Sequence, residues 1–452
     1  LRGGKRRSPS VNLSAFDFLG DVLLMHDPDG ITEEQRAERR DFILRFQEIT
    51  GPVMAKGLED TTFYRYFPLL SLNEVGGGPQ PFGTPLEEFH RRMMDRARER
   101  PLAMSATSTH DTKRAEDNRA RLNTLSEVAD EWAGQVDEWR EIGRALKPRI
   151  GDVPAPDDDD EYYIYQTLLG ALPEVDGNRI PEDLLPRAQA SVEKALREAK
   201  RHTAWINVNA EYEEATRVFV ARLLDPTQPF LRKLLAFAKR LLLPGYWSSL
   251  SQLVVKATAP GVPDFFQGTE LWDFSMVDPD NRRPVDFALR RRLLAELASR
   301  TESDRAALIA ELSHAPGDGR IKLFLTQALL TCRRRNRDIF LRGSYEPLLV
   351  QGTRQDNVIA FARRWESTFA VTIAGRFFTQ FGTRAGMPRK DDWGDTTVRW
   401  PSEIAPTEAH DAVAGVVRQI DGADVRVADL FEAVPFCVLI GKTSALPGRP
   451  GY

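Results

Sequence analysis

Ser108-Thr109-His110-Asp111-Thr112-Lys113 puts an imidazole, a carboxylate and an ammonium within four positions, directly after the small-residue run Pro101 to Thr107 (PLAMSAT). A short apolar run bounded by proline and polar residues predicts a buried parallel strand. In a parallel α/β barrel, polar side chains at the carboxyl end of a strand are where catalysis sits. There a carboxylate can face a developing oxocarbenium charge while the imidazole donates to a sugar hydroxyl. The same residues also fit a plainer role, with Thr109 or Asp111 capping a helix that starts near Lys113. Spacing alone leaves both roles open.

Two further segments combine charge with rigid or aromatic groups. GPVMAKGLEDTTFYRY carries Lys56, Glu59 and Asp60 beside Tyr64 and Tyr66, whose rings could stack on sugars; a surface loop with core tyrosines fits equally. VDPDNRRPVDF packs Asp278, Asp280, Asn281, Arg282 and Arg283 between prolines, which makes a rigid loop. An arginine there can hold a carboxylate or fork onto hydroxyls, or form a weak surface ion pair. Arg333 to Arg337 would suit phosphate or RNA, but a nucleic-acid binder needs a wider basic patch. His26, His90, His202, His314 and His410 show no metal-ligand spacing. No metal or other cofactor is expected.

These residues need elements to hold them. Thr32 followed by Glu33, Glu34 and Gln35 predicts a helix start, and Gly51-Pro52 its stop. A loop over 71–90 leads to a short helix near Leu86 to Arg98. Apolar residues at three- and four-residue intervals make 113–250 almost wholly helical, with Asp157 to Asp160 as a solvated linker. An apolar helix covers 247–258, PGVPDFFQ at 260–267 enters a strand, and a helix covers 321–335. From about 346, alternating and β-branched runs such as VIAFARRW, TFAVTIAG and FCVLIG predict an antiparallel β domain.

Composition bounds the function. The chain has 452 residues with 62 Lys and Arg against 66 Asp and Glu, a net charge of −4 that argues against nucleic acid as partner. At 42% hydrophobic and 28% charged it is not a disordered chain. Its 2 cysteines make no disulfide framework, and a reducing, cytoplasmic setting fits. No apolar run is long enough for a membrane helix. The start LRGGKRRSPS reads as a loop cut open, so the chain is expected to be part of a longer one.

Taken in order, the motifs resemble a family. THDTKR and GVPDFFQGTE look like the fourth signature region and the eighth strand of the α-amylase superfamily. PVMAKGLEDTTFYRY, SLNEVGG, STHDTKRAEDNRARL, PGVPDFFQGTELWDFSMVDPDNRRPVDF and CRRRNRDIF are similar, more narrowly, to maltooligosyl trehalose synthase. The motifs run from about residue 40 to 342.

The resemblance implies α/β architecture with added β. Residues 1–112 would be a partial barrel with lid-like segments and 113–246 a helical insertion. Residues 247–345 would hold the last (β/α)8 strand and its helices, and 346–452 the antiparallel β domain. It implies conversion of the reducing-end α-1,4 link of a maltooligosaccharide into an α,α-1,1 link. Asp111 would stabilise the transition state and His110 would bind the reacting glucose. Lys56 and Lys113 would hold the displaced glucose, Arg282 and Arg283 would frame the site, and Tyr64 and Tyr66 would stack or close over it. No segment matches the regions carrying the family's nucleophile and general acid. The missing N-terminal half of the same enzyme is therefore an expected partner, and the chain alone is expected to be inactive. The alternative is a non-catalytic carbohydrate-binding or assembly module of the same fold.

Overall fold

A computed structural model describes residues 13–80, 82–175, 177, 179–381, 387–401, 408–420 and 422–443. The chain divides into two compact units, Leu1–Arg65 and Tyr66–Tyr452.

The first unit holds α1 (Leu13–Leu23) and α2 (Glu33–Met54). Thr32 and Gln35 form the expected reciprocal cap at the start of α2. The stop at Gly51-Pro52 is not observed: α2 runs through Pro52 and continues as a wider π-turn over Ala55–Glu59. Proline removes one helical N–H but its fixed φ is itself helical, so near an exposed helix end the ladder widens instead of breaking.

The second unit opens with α3 (Leu86–Glu99), β1 (Met104–Ser105), α4 (Glu116–Asn123) and α5 (Ala129–Leu146). A small hairpin of β2 (Arg149–Ile150) and β3 (Val153–Pro154) precedes α6 (Asp158–Ala171), α7 (Leu184–Ala199), α8 (Ala210–Leu223) and α9 (Pro229–Thr258). The helical periodicity read over 113–250 is thus realised. On α5 it buries Trp132, Val136, Trp139, Gly143 and Leu146 on one stripe. The acid run at 157–160 is not a linker. Asp157 caps α6 by accepting the Asp160 N–H, and the other three acids form its first turn, where the helix dipole favours negative charge.

β4 (Val262–Pro263) follows α9 and pairs parallel with β1, Met104 opposite Val262 and Ser105 opposite Pro263. The parallel pairing expected of PLAMSAT is present but its burial is not. Leu102 is 62% and Met104 68% exposed, in a sheet that has two strands among the described residues. The chain continues through α10 (Phe287–Ser303), α11 (Arg305–His314), α12 (Arg320–Arg335) and α13 (Arg337–Arg342).

Strands dominate from Glu346: β5 (Glu346–Pro347), β6 (Leu349–Gln351), β7 (Val358–Trp365), β8 (Thr368–Gly375), β9 (Thr397–Arg399), β10 (Glu408–Asp411), β11 (Val417–Gln419), β12 (Asp424–Arg426) and β13 (Phe436–Lys442), with a short α14 (Val427–Leu430). They form a six-stranded sheet in the order β11-β10-β13-β8-β7-β5 and a three-stranded sheet β12-β9-β6, antiparallel throughout. Alternate residues of β8 serve two cores. Phe369, Val371 and Ile373 join Trp393, Val398 and Trp400 in one. Ala370 and Ala374 join Trp247 and Leu250 of α9, and Phe324 and Leu329 of α12, in the other. Among the described residues no helix is long and apolar enough to cross a membrane.

Candidate functional site

β1 ends at Ser105, and the chain then turns through Thr109 to Thr112 before α4 begins at Glu116. The turn is closed locally. The Thr112 hydroxyl donates to the Thr109 carbonyl at 2.9 Å, and the Asp111 N–H reaches Thr109 Oγ1 at 3.2 Å. The capping role open to Thr109 and Asp111 is not taken by either, since α4 starts later and the Glu116 N–H is capped by Ser108 Oγ at 2.8 Å. The His110 and Asp111 side chains are exposed and, among the described residues, neither has a hydrogen-bond or ion-pair partner.

Two distant segments hold this turn in place. Asn281 Nδ2 donates to the His110 carbonyl at 3.0 Å and the Thr109 carbonyl at 3.3 Å. Glu74 accepts the backbone N–H of Lys113 at 2.7 Å and of Arg114 at 3.2 Å, and pairs with Arg119 at 2.8 Å. Lys113 itself is buried.

Beneath the turn lies a buried charge network. Lys322 on α12 pairs with Glu116 at 2.7 Å and Asp117 at 2.7 Å. Lys256 on α9 bonds Thr107 at 2.7 Å, Glu116 at 3.3 Å and the Asp264 carbonyl at 3.1 Å, so it ties together the chain leaving β1 and the chain leaving β4. Asp117 also accepts the Asp273 N–H at 2.7 Å and the Ser249 hydroxyl. Burial works against ionised Glu116, but the two lysines overcome it and hold its carboxyl below the usual range. Burial, with Glu116 alongside, pushes Asp117 up despite Lys322. Two acids against two lysines leave the network neutral, and its carboxylates are consumed internally.

The expected residues are placed as follows. His110, Asp111 and Lys113 share the turn. Arg282 and Arg283 lie in the neighbouring loop but are largely exposed and face other acids, Asp278 at 2.6 Å and Asp183 at 3.1 Å respectively. It is Asn281, between Asp280 and Arg282, whose side chain reaches the turn. Asp280 anchors that loop: burial would raise its carboxyl, but Arg187 at 2.7 Å and the Met276 N–H bring it below the ordinary value. Tyr66 is 47% exposed. In the first unit, Lys56 pairs with Asp60 at 2.6 Å and Tyr64 is buried.

Sequence pattern does not single out Glu74, Lys256 or Lys322 as functional residues, and it gives Asn281 only as a member of the rigid VDPDNRRPVDF loop. The lysines do carry a signal, each a lone cation on an apolar helical stretch (QLVVKAT and IKLFL). The fold also brings His202 to Asp157 and Asp160, which spacing does not suggest. His202 Nε2 lies 2.7 Å from Asp157, and the Tyr212 hydroxyl donates to Asp160 at 2.6 Å, so these groups complete the N-terminus of α6. Burial, with the Asp157 charge, pushes Asp160 up to about 6.

A helical body carrying an antiparallel sheet domain is the architecture to set beside known proteins. No protein-family model matches the chain. It is 38% identical over 329 residues to a putative maltooligosyl trehalose synthase of Mycobacterium tuberculosis, covering 73% of this chain and 38% of that protein. The solved maltooligosyltrehalose synthase of Arthrobacter ramosus superposes with a TM-score of 0.74 at 30% identity, over 97% of this chain and 50% of that one. A hypothetical maltooligosyl trehalose synthase of Sulfolobus tokodaii gives 0.65 at 28% identity, over 97% and 55%. In sequence and in fold the chain is a homologue of the maltooligosyl trehalose synthases. It spans about half the length of these solved relatives, and less of the curated one.

Proposed function

We propose that the chain is the C-terminal portion of an enzyme that converts the reducing-end α-1,4 link of a maltooligosaccharide to an α,α-1,1 link. The observation that carries this reading is the unpartnered Asp111 carboxylate beside His110, on a turn fixed from two sides by Asn281 and Glu74. Fixed orientation and an unengaged charge are what transition-state stabilisation requires. Asp111 faces the positive charge that develops at the anomeric carbon and orients the neighbouring hydroxyl, while His110 donates to the same sugar ring. Lys113 holds the displaced glucose, Arg282 and Arg283 frame the cleft, and Tyr66 stacks on the sugar. Lys56 and Tyr64, to which the resemblance gives parts in holding and covering the same glucose, belong to the first unit.

The reaction breaks the C1–O4 bond and forms a bond from C1 to a carboxylate nucleophile, while an acid protonates O4 of the leaving glucose. In the second displacement the anomeric hydroxyl of that glucose attacks C1, gives its proton back to the same acid, and releases the carboxylate. Water is kept out while the glucose turns, or it is lost by hydrolysis. The nucleophile and acid belong to the other half of the enzyme. Glu74, Glu116 and Asp117 are committed to structural bonds and are not substitutes. The exposed parallel pair β1–β4 supports the same division, since parallel strands are ordinarily buried on both faces.

That commitment also favours a second reading, a carbohydrate-binding module without turnover. Purified chain incubated with maltopentaose should give no maltooligosyl trehalose by chromatography, and adding the separately expressed N-terminal portion should restore product. Product from the chain alone would overturn the division of labour. Binding of maltopentaose with no product from the reconstituted pair would establish the module.

A further inference from the structure

A cavity lies away from the His110 turn, between α10, α12 and the strands β10 and β13. It encloses about 460 Å³ and is lined among others by Glu302, Arg305, Gln327, Thr331, Arg335 and His410. Gln327, Thr331 and Arg335 are spaced four apart and so share one face of α12.

Two guanidinium groups enter this cavity with little to neutralise them. Arg305 is fixed by donating from Nε to the Val413 carbonyl at 2.9 Å and from Nη2 to the Ala412 carbonyl at 2.5 Å, and it lies over the Phe324 ring. Its Nη1 makes no hydrogen bond among the described residues. Arg335 is exposed and has no hydrogen-bond or ion-pair partner among them, and the Gln327 and Thr331 side chains are equally unengaged. Asp411, the nearby buried acid, is already paired with Arg418 at 3.3 Å and accepts the N–H groups of Val413 and Ala414. Burial holds Arg305 below its ordinary value, with the Arg335 charge adding to it and Asp411 opposing. Glu302 is the one acid on the lining, so two arginines outweigh it by one charge, before any contribution from His410.

We propose that this cavity binds a phosphate monoester of a small polyhydroxy compound. The phosphate sits between Arg305 and Arg335, whose planar forks match its oxygens. The hydroxyls meet the amide of Gln327 and the hydroxyl of Thr331, which can donate or accept. The volume is within the range of small-ligand sites. Of the basic run at 333–337, Arg335 lines the cavity, whereas Arg333 is spent on the carbonyls of Ala257 and Gly261. The proposal stands independently of the sugar-transfer reading.

The test is calorimetric titration of the 452-residue chain with glucose 6-phosphate, inorganic phosphate and glucose at matched ionic strength. Glucose 6-phosphate should bind saturably, and Arg335→Gln should weaken it by about tenfold or more, the loss expected for a charge-assisted contact. Inorganic phosphate should bind measurably but more weakly, and glucose should not bind. The variant's melting temperature without ligand should match the parent's, because Arg335 is exposed and unpartnered. Absence of saturable heat with the ester, or equal affinity in the variant, would overturn the site. Glucose binding as well as its phosphate would remove the anion from the proposal, and inorganic phosphate binding as well as the ester would remove the hydroxyls.

Discussion

Asn281 Nδ2 stands 3.0 Å from the carbonyl oxygen of His110, across 171 residues of sequence. The loop that carries the two arginines expected to frame the site therefore acts on the His110 turn through the amide of Asn281. Asn281→Ala leaves two carbonyls without their donor and lets the His110–Asp111 turn move. In a preparation containing both halves of the enzyme, kcat should fall more than KM, since geometry at the anomeric carbon is lost before affinity is. Asn281→Asp keeps the shape but offers carbonyls a carboxylate, so it should be no better. Steady-state kinetics on the two variants checks this, and an unchanged kcat in Asn281→Ala would return the contact to a loop staple.

Asp111→Asn preserves size and removes charge. Because the carboxylate is exposed and caps no helix, the melting temperature should stay with the parent. Activity of the reconstituted enzyme should drop by about 10²-fold to 10³-fold, the usual cost of one preorganised electrostatic contact. Activity within about threefold of the parent would remove Asp111 from the reaction. The companion Lys113→Ala should raise the fraction of substrate released as free glucose.

Lys322→Met strips Glu116 and Asp117 of their shared cation in a dry interior. Breaking a buried pair from one side costs about 3–5 kcal/mol, and urea unfolding should show a loss of that size. Adding Asp117→Asn removes the stranded charge, since Glu116 keeps Lys256 at 3.3 Å, and should recover part of it. Full stability in the single variant would mean that the network is solvated.

Asp160 sets a pH dependence of defined sign. Its carboxyl titrates at about 6 in the fold against 3.8 for the free group, so between these values the folded state holds the extra proton. The stabilisation is complete below pH 4 and is lost as pH rises through 6, a difference of roughly 3 kcal/mol at most. Asp160→Asn should therefore gain stability relative to the parent on going from pH 4 to pH 7, measured by urea midpoints at each pH. A constant difference would show that burial does not govern this group.

How much of the structure is legible in the sequence follows from how local each signal is. The strands β7, β8 and β13 are visible because eight- and seven-residue β-branched runs need no distant partner to identify them. Thr32 announces α2 by its own side chain, and the tryptophans of α5 announce its helical periodicity. The places where sequence and structure differ all depend on groups the local pattern does not contain. Pro52 looks like a stop because the π-turn that absorbs it has no sequence signature. Asp157 to Asp160 look solvated because Tyr212, which takes Asp160 inside, lies fifty residues on. PLAMSAT looks buried because its composition assumes neighbours on both faces, and β4 supplies one edge. His110, Asp111 and Lys113 are legible as a cluster in sequence. Glu74 and Asn281, which hold them, are not, since nothing local says which carboxylate or amide will fold back onto a turn.

α9 carries its own consequence. Its C-terminal half, with Trp247, Leu250, Val254 and Ala257, is packed in the same core as Phe324 and Leu329 and the sheet residues Ala370, Ala374, Phe436 and Val438. A gene cut at the last helix would not separate two modules but slice one apolar interior in two, leaving each fragment with a raw, sticky face. The helical body from α9 onward and the sheet must therefore melt together, in one transition, and be inherited together by any shortened version of the protein meant to stay in solution.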